Sequence, residues 1–393
     1  MPTNKPVDMR RLGTILLLGA VAGAGVRYLT ARYGAQRGVR RQLIDWEKAR
    51  SVGLRVSQWE RAPIVDRAAR SAQYQQLVAQ SEPLVSSYMG TALAAPISRI
   101  QVHDRREWIE ANMISFAQMF KPIEEYYLHS SDGQSDLAAG LARVNAQVLG
   151  AQMGALIGFL ARRVLGQYDL GLFSPDPQVR GTLYFVEPNI ARVQQQLGVD
   201  ERDFRLWIAL HEVSHVYQFE AFPWVRGYFN RLVSELMEQM LDQVATMAGG
   251  LPRLFERIAR GETGGRSWIE LLLSPQQQQQ FDRIQSLMSL IEGYSTHLMN
   301  AIGAQLLPSY AQIEAKVQQR QVDRPLIEQI FNRITGMDLK LVQYQQGEAF
   351  VDAVVAARGI GFMNRVWASE ANLPNMVEIR DPLAWVRRIE AVV

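Results

Sequence analysis

The chain has no cysteine, and only five of its 393 residues are histidine. The first absence excludes disulfides, thiolate-held zinc, iron–sulfur ligation and a cysteine nucleophile. It leaves the compartment open, since cytosolic and exported proteins both do without Cys. A strong charge of either sign is also missing: 42 Lys and Arg stand against 39 Asp and Glu, a formal +3. A nucleic-acid surface needs a basic face across the fold. Here much of the excess is local, in Arg27, Arg32, Arg37, Arg40 and Arg41 ahead of Asp45. No nucleic-acid partner is therefore expected, and no fixed-period repeat is visible.

Long uncharged runs are scarce as well. Leu12–Val26 is uncharged and bracketed by Arg10-Arg11 and Arg27. A spanning helix usually takes about 20 apolar residues, a length reached only by extending to Leu29 with Arg27 snorkelling. The arginines that follow resist translocation. The reading is membrane association through residues 12–29 with a cytoplasmic body. The alternative is export after cleavage near Ala22-Gly23-Ala24. Residues 1–41 are set apart on this basis, and 42–393 are read as one domain.

From Arg41 onward the apolar periodicity is overwhelmingly helical, with stripes at Tyr74–Met89 and Arg105–Phe120 and a break at Ser130–Gly133. Leu137–Val164 carries Gly140, Gly150, Gly154 and Gly158, which suggests close helix packing inside a core. Tyr168–Pro177 reads as loop and Thr182–Val186 as a short strand. Helix returns at Val193–Leu197 and Phe204–Phe219, with Pro223 and Gly227 ending it. Tyr228–Met247, Ile284–Leu307 and Leu326–Val354 read as further helices. The expected fold is mainly α, one large domain with a small β element.

What is present is His211-Glu212-Val213-Ser214-His215, an H-E-x-x-H array. On a helix, positions i and i+4 share a face one turn apart. Two neutral imidazoles at that spacing can hold one Zn²⁺, with Glu212 placed as general base. Chance alone would produce such an array in a chain of this length roughly once in a hundred. Apart from His211, Glu212 and His215, the residues from Ile208 to Tyr217 are uncharged, as a buried metal helix requires. The expected cofactor is Zn²⁺ and the expected partner a peptide or protein substrate.

Catalytic zinc usually takes three protein ligands. Glu220 is too close to His215 to lie on a second helix. Glu292 is the attractive third ligand: a carboxylate amid Leu287, Leu290 and Ile291, followed by Gly293, which permits close approach. Glu235, Glu238 and Asp242 are its rivals. Tyr294, His297 and Tyr344 are candidates for substrate or oxyanion contact, and the sequence does not choose among them.

Together with Leu183–Asn189, Glu292-Gly293 and Gln343–Phe350, the motif helix resembles the bacterial zincin-like metallopeptidase type 2 family. Its members are regarded as hydrolases, and one branch is named for association with deazaflavin-coenzyme biosynthesis. The resemblance covers about residues 43–390. It implies a mainly α zincin fold with His211, His215 and Glu292 as metal triad and Glu212 as base. Where many members carry His after Glu-Gly, this chain has Tyr294. A reading from another class keeps the fold and metal but makes the protein a membrane-associated binding or assembly factor without turnover. A purely structural metal site would have no need of Glu212.

Overall fold

The computed structural model describes residues 42–130, 136–169, 181–246, 274–322 and 337–391. The apolar segment 12–29 lies outside them, as does the start of the expected Leu326 helix. In chain order the main elements are α1 (Trp46–Ser57), α2 (Arg67–Met89), β1 (Ile100–His103), α3 (Arg105–Ser130), α4 (Asp136–Ala161), β2 (Gly166–Asp169) and β3 (Thr182–Val186). There follow α5 (Glu187–Leu197), α6 (Glu201–Glu220), α7 (Pro223–Thr246), α8 (Pro275–Leu306), α9 (Tyr310–Val322) and α10 (Met337–Arg358). Short helical turns then lead to α11 (Pro382–Ala391). The fold is mainly α with a three-stranded sheet in the order β1-β3-β2.

Contacts gather in two compact units, residues 1–61 with 105–163 and residues 62–104 with 164–393. In the first, α4 packs against α1 through its glycines. A β-carbon on Gly150, Gly154 or Gly158 would come within 2.2–2.5 Å of the carbonyl oxygens of Asp45, Ala49 and Gly53. Backbones can cross this closely only where no side chain intervenes. The small residues of this segment thus serve helix packing, as their pattern suggests. By length and composition alone, Val144–Ala161 is also apolar enough to cross a membrane.

The second unit is built around α6. Asp200 caps this helix by accepting from the Asp203 amide at 2.9 Å, and Glu201 and Asp203 place negative charge in the first turn. Fourteen of its residues are buried, so apolar contacts surround most of it and no single apolar stripe stands out. β3 runs parallel to β1 (Ile100 opposite Leu183) and antiparallel to β2 (Gly166 opposite Phe185). The phenol ring of Tyr74 on α2 stacks on Phe185 with centroids 4.1 Å apart.

Beneath that stack sits a buried charge cluster. Tyr74 donates to Glu187 Oε2 at 2.6 Å, and Arg205 on α6 pairs with Glu187 Oε1 at 2.5 Å. Glu187 begins α5 directly after β3, so this pair pins the metal-motif helix under the sheet.

Two expectations are corrected. Pro223 opens α7 rather than closing α6, since proline is well suited to the first position of a helix, and Gly227 lies inside α7. Tyr168 belongs to β2, not to a loop. β1 was not anticipated at all: four residues are too few for periodicity to show.

Candidate metal centre

His211 and His215 project from one face of α6, their Nε2 atoms 3.1 Å apart and their rings nearly perpendicular at 82°. α8 brings Glu292 to them, with Oε2 3.7 Å from His211 Nε2 and 3.8 Å from His215 Nε2. Among the described residues this is the one trio with metal-holding geometry. A circle through these three atoms has a radius of about 2.1 Å, inside the 2.0–2.2 Å range of zinc bonds to nitrogen and carboxylate oxygen. Two imidazole nitrogens and one carboxylate oxygen are also the donor set of a catalytic zinc site that keeps a position open. The residues therefore fit the ion without rearrangement.

Burial holds His211 well below the usual imidazole pKa, with His215 adding to the effect. A neutral ring keeps the lone pair a metal needs. Gly293, next to Glu292, faces a different helix: a β-carbon there would sit 2.1 Å from the Gly347 carbonyl carbon of α10. The close approach that glycine permits is thus used by the facing helix.

Glu212 is not one of the converging trio. It is buried at 5% exposure, and burial together with the Glu292 charge pushes its carboxyl well above the usual range. A dication held by the trio would act in the opposite sense. Above Glu212 lies the start of β2, where a β-carbon on Gly166 would come within 2.4 Å of its Oε1. Tyr168, two residues on and on the same strand face, donates to the Glu220 carboxylate, which also takes Arg226 Nη2 at 3.1 Å. This strand is therefore anchored on α6 at Glu220 and closes over the Glu212 carboxylate.

The outer edge of β2 has a definite polarity. Leu165 O accepts from Val186 N at 2.8 Å, so the ladder falls on alternate residues, and Gly166 and Tyr168 turn their backbone groups away from β3.

The remaining sequence candidates lie elsewhere. Tyr294 is fully buried, donates to Asn364 Oδ1 at 2.6 Å and packs edge-on to Trp367. Both ring nitrogens of His297 are engaged, Nε2 with the Tyr88 hydroxyl at 2.6 Å and Nδ1 with Asp352. Neither is brought to the three ligands. The Tyr344 side chain lies outside the described residues, as does that of the rival ligand Asp242. Glu235 is bonded to Gln280, and Glu238 is exposed. A cavity of about 500 Å³, lined by Tyr228, Arg283, Glu370 and Pro374 among others, contains none of the trio, so volume alone does not mark the chemistry.

Three polar residues went unassigned by sequence reasoning: Ser214, Gln218 and Ser295. They form a buried network behind the histidines, with Ser214 Oγ 2.7 Å from Ser295 Oγ and 2.6 Å from His211 O. Their one sequence signal is spacing, Gln218 three residues past His215 and Ser295 three past Glu292.

A family model described as zincin-like metallopeptidase matches residues 44–386. The chain is also similar to the crystal structure of a "putative hydrolase with a novel fold" from Chloroflexus aurantiacus. The two are 51% identical with a TM-score of 0.66, covering 88% of this chain and 99% of that one. Among curated proteins none matches the chain.

Proposed function

Because this chain belongs to the zincin-like metallopeptidase family, we propose that it is a zinc-dependent hydrolase cleaving amide bonds in peptide or protein substrates. The observation that carries the reading is the separation of roles at the site. Three side-chain donors converge at metal-bonding radius, while Glu212 stands beside them with no ligand duty.

Zinc held there would supply Lewis acidity toward water and the scissile carbonyl. Nε2 of His211, Nε2 of His215 and the Glu292 carboxylate would hold it. Glu212 accepts the water's proton on its carboxylate and passes it to the departing amine. Burial around Glu212 excludes bulk water from that transfer. An extended substrate backbone can pair with the outward groups of Gly166 and Tyr168, the manner in which strands are added to a sheet edge. That edge runs over Glu212, which would set the scissile bond beside the base. Attachment to a membrane through residues 12–29, with the body cytoplasmic, completes the reading; fractionation of the chain with and without residues 1–41 tests it.

The test of function is a zinc-loaded protein challenged with a broad peptide library. Cleavage that disappears with a chelator and returns with zinc supports the reading. A zinc-loaded protein that cleaves nothing favours a binding factor without turnover.

A further inference from the structure

His211 and His215 match as donors but differ in what stands behind them. Nδ1 of His211 is buried and meets no hydrogen-bond partner among the described residues. Nδ1 of His215 lies 2.9 Å from Oε1 of Gln218 and 3.4 Å from Oγ of Ser295. Gln218 is fully buried, and its amide nitrogen is engaged as well, 2.9 Å from the Ile291 carbonyl oxygen and 3.2 Å from Ser295 Oγ.

These contacts determine a proton position. The Ile291 carbonyl can only accept, so the Gln218 NH₂ must face it and Oε1 must face the imidazole. Oε1 can itself only accept, so His215 carries its proton on Nδ1. Nε2, the atom that faces His211 and Glu292, is then left with its lone pair. Free histidine favours the opposite tautomer, so the arrangement works against the intrinsic preference of the ring. The same amide also reaches the other ligand-bearing helix, because Ile291 immediately precedes Glu292 in α8. Gln218 therefore orients one ligand and grips the backbone beside another.

Resting on the hydrolase reading above, we propose that Gln218 is a positioning residue that locks His215 in the Nδ1–H tautomer and sets the affinity of the trio for a divalent cation. A glutamine serving only to join two helices would need its bonds to Ile291 and Ser295 but not the one to His215. The two roles come apart in paired substitutions. Gln218→Met keeps the bulk and removes both functions of the amide. Gln218→Glu restores an acceptor facing Nδ1 while giving up the donor facing Ile291.

The experiment is a competitive-chelator titration of the full-length protein with zinc alone, alongside ¹⁵N spectra of the imidazoles in the metal-free state. Gln218→Met should bind zinc 10–100-fold more weakly, the usual effect of losing an outer-shell partner of a metal-ligating histidine, and Gln218→Glu should recover to within about threefold of the parent. Metal-free parent protein should show His215 protonated on Nδ1. The proposal is overturned if Gln218→Met binds zinc as tightly as the parent, or if Gln218→Glu is as weak as Gln218→Met. An Nε2–H signature for His215 in the parent would overturn it too. A parent that binds no zinc would defeat the metal-site reading, yet the imidazole spectra would still decide the tautomer. Should Gln218→Met fail to fold, the parent spectra and the Gln218→Glu titration decide the question.

Discussion

Gly166 and Glu212 are in such close contact that a β-carbon on the glycine would sit 2.4 Å from Oε1 of the carboxylate and 2.6 Å from its Cδ. The Glu212 carboxylate is thereby held from above by backbone, in a place no larger residue can occupy. Because Glu212 is buried, it cannot swing into solvent to make room.

Gly166→Ala should accordingly displace the carboxylate and leave the trio alone. A misplacement of about 1 Å can cost on the order of 10²-fold in rate, so kcat should fall by that order while zinc content stays at one per chain. Metal analysis and steady-state kinetics on the same preparation check this. Unchanged kcat would show that β2 does not position the base.

Glu212→Gln keeps size and shape. It should retain stoichiometric zinc and lose the general-base share of catalysis, on the order of 10²–10⁴-fold in kcat. Loss of metal in this variant would make Glu212 a ligand and require a different mechanism.

His211→Ala and His215→Ala should each abolish tight zinc while circular dichroism shows the helices largely intact. The fold's anchors, the Arg205–Glu187 pair and the Tyr74–Phe185 stack, lie apart from these rings. A double variant still carrying one tight zinc would mean that the ion sits elsewhere.

The buried pair at the sheet makes a prediction about stability. Glu187→Ala leaves the Arg205 guanidinium, buried at 1% exposure, with the half-exposed Glu201 carboxylate at 3.1 Å as its remaining ionic partner, and losing the buried pair should cost up to about 3–5 kcal/mol. Thermal and denaturant unfolding measure it, and a loss below about 1 kcal/mol, the worth of a surface pair, would contradict the assignment.

Alkaline pH probes the same cluster. Burial, and next the Glu187 charge, hold the Tyr74 phenol well above its ordinary value. The unfolded chain therefore gives up this proton first, near pH 10, and the folded chain retains it. Stability from this group is fully present below that pH and declines as pH rises past it, by up to about 1.4 kcal/mol per pH unit. Melting curves from pH 8 to 11 should fall less steeply at the alkaline end for Tyr74→Phe than for the parent. Equal slopes would rule Tyr74 out as a contributor.

The legible parts of the site were those encoded locally. His211 and His215 are four residues apart on one helix, so their common face follows from helical geometry without knowledge of the fold. Glu292 could be nominated only because a carboxylate interrupts an apolar stretch, is followed by glycine and fits the family pattern; its meeting with α6 is tertiary. Tyr294 shows the opposite case. It lies two residues from Glu292, about 200° around the helix at 3.6 residues per turn, so it faces the core and Asn364 rather than the ligands. β2 was hidden for a different reason: Gly-Gln-Tyr-Asp has turn-forming residues at both ends, and its glycine is selected by contact with Glu212 rather than by strand propensity. Gln218 looked like any polar residue at the end of a helix until its partners across α8 were known.

The most direct test of the account is a crystal structure of the zinc-loaded chain with the ion located by anomalous scattering at the zinc edge. One zinc should be bonded to Nε2 of His211 and His215 at about 2.0–2.1 Å and to a Glu292 carboxylate oxygen at about 2.0–2.2 Å, with Glu212 outside the coordination shell. A Glu292 carboxylate more than about 4 Å from the ion, far beyond any zinc–oxygen bond, would contradict it.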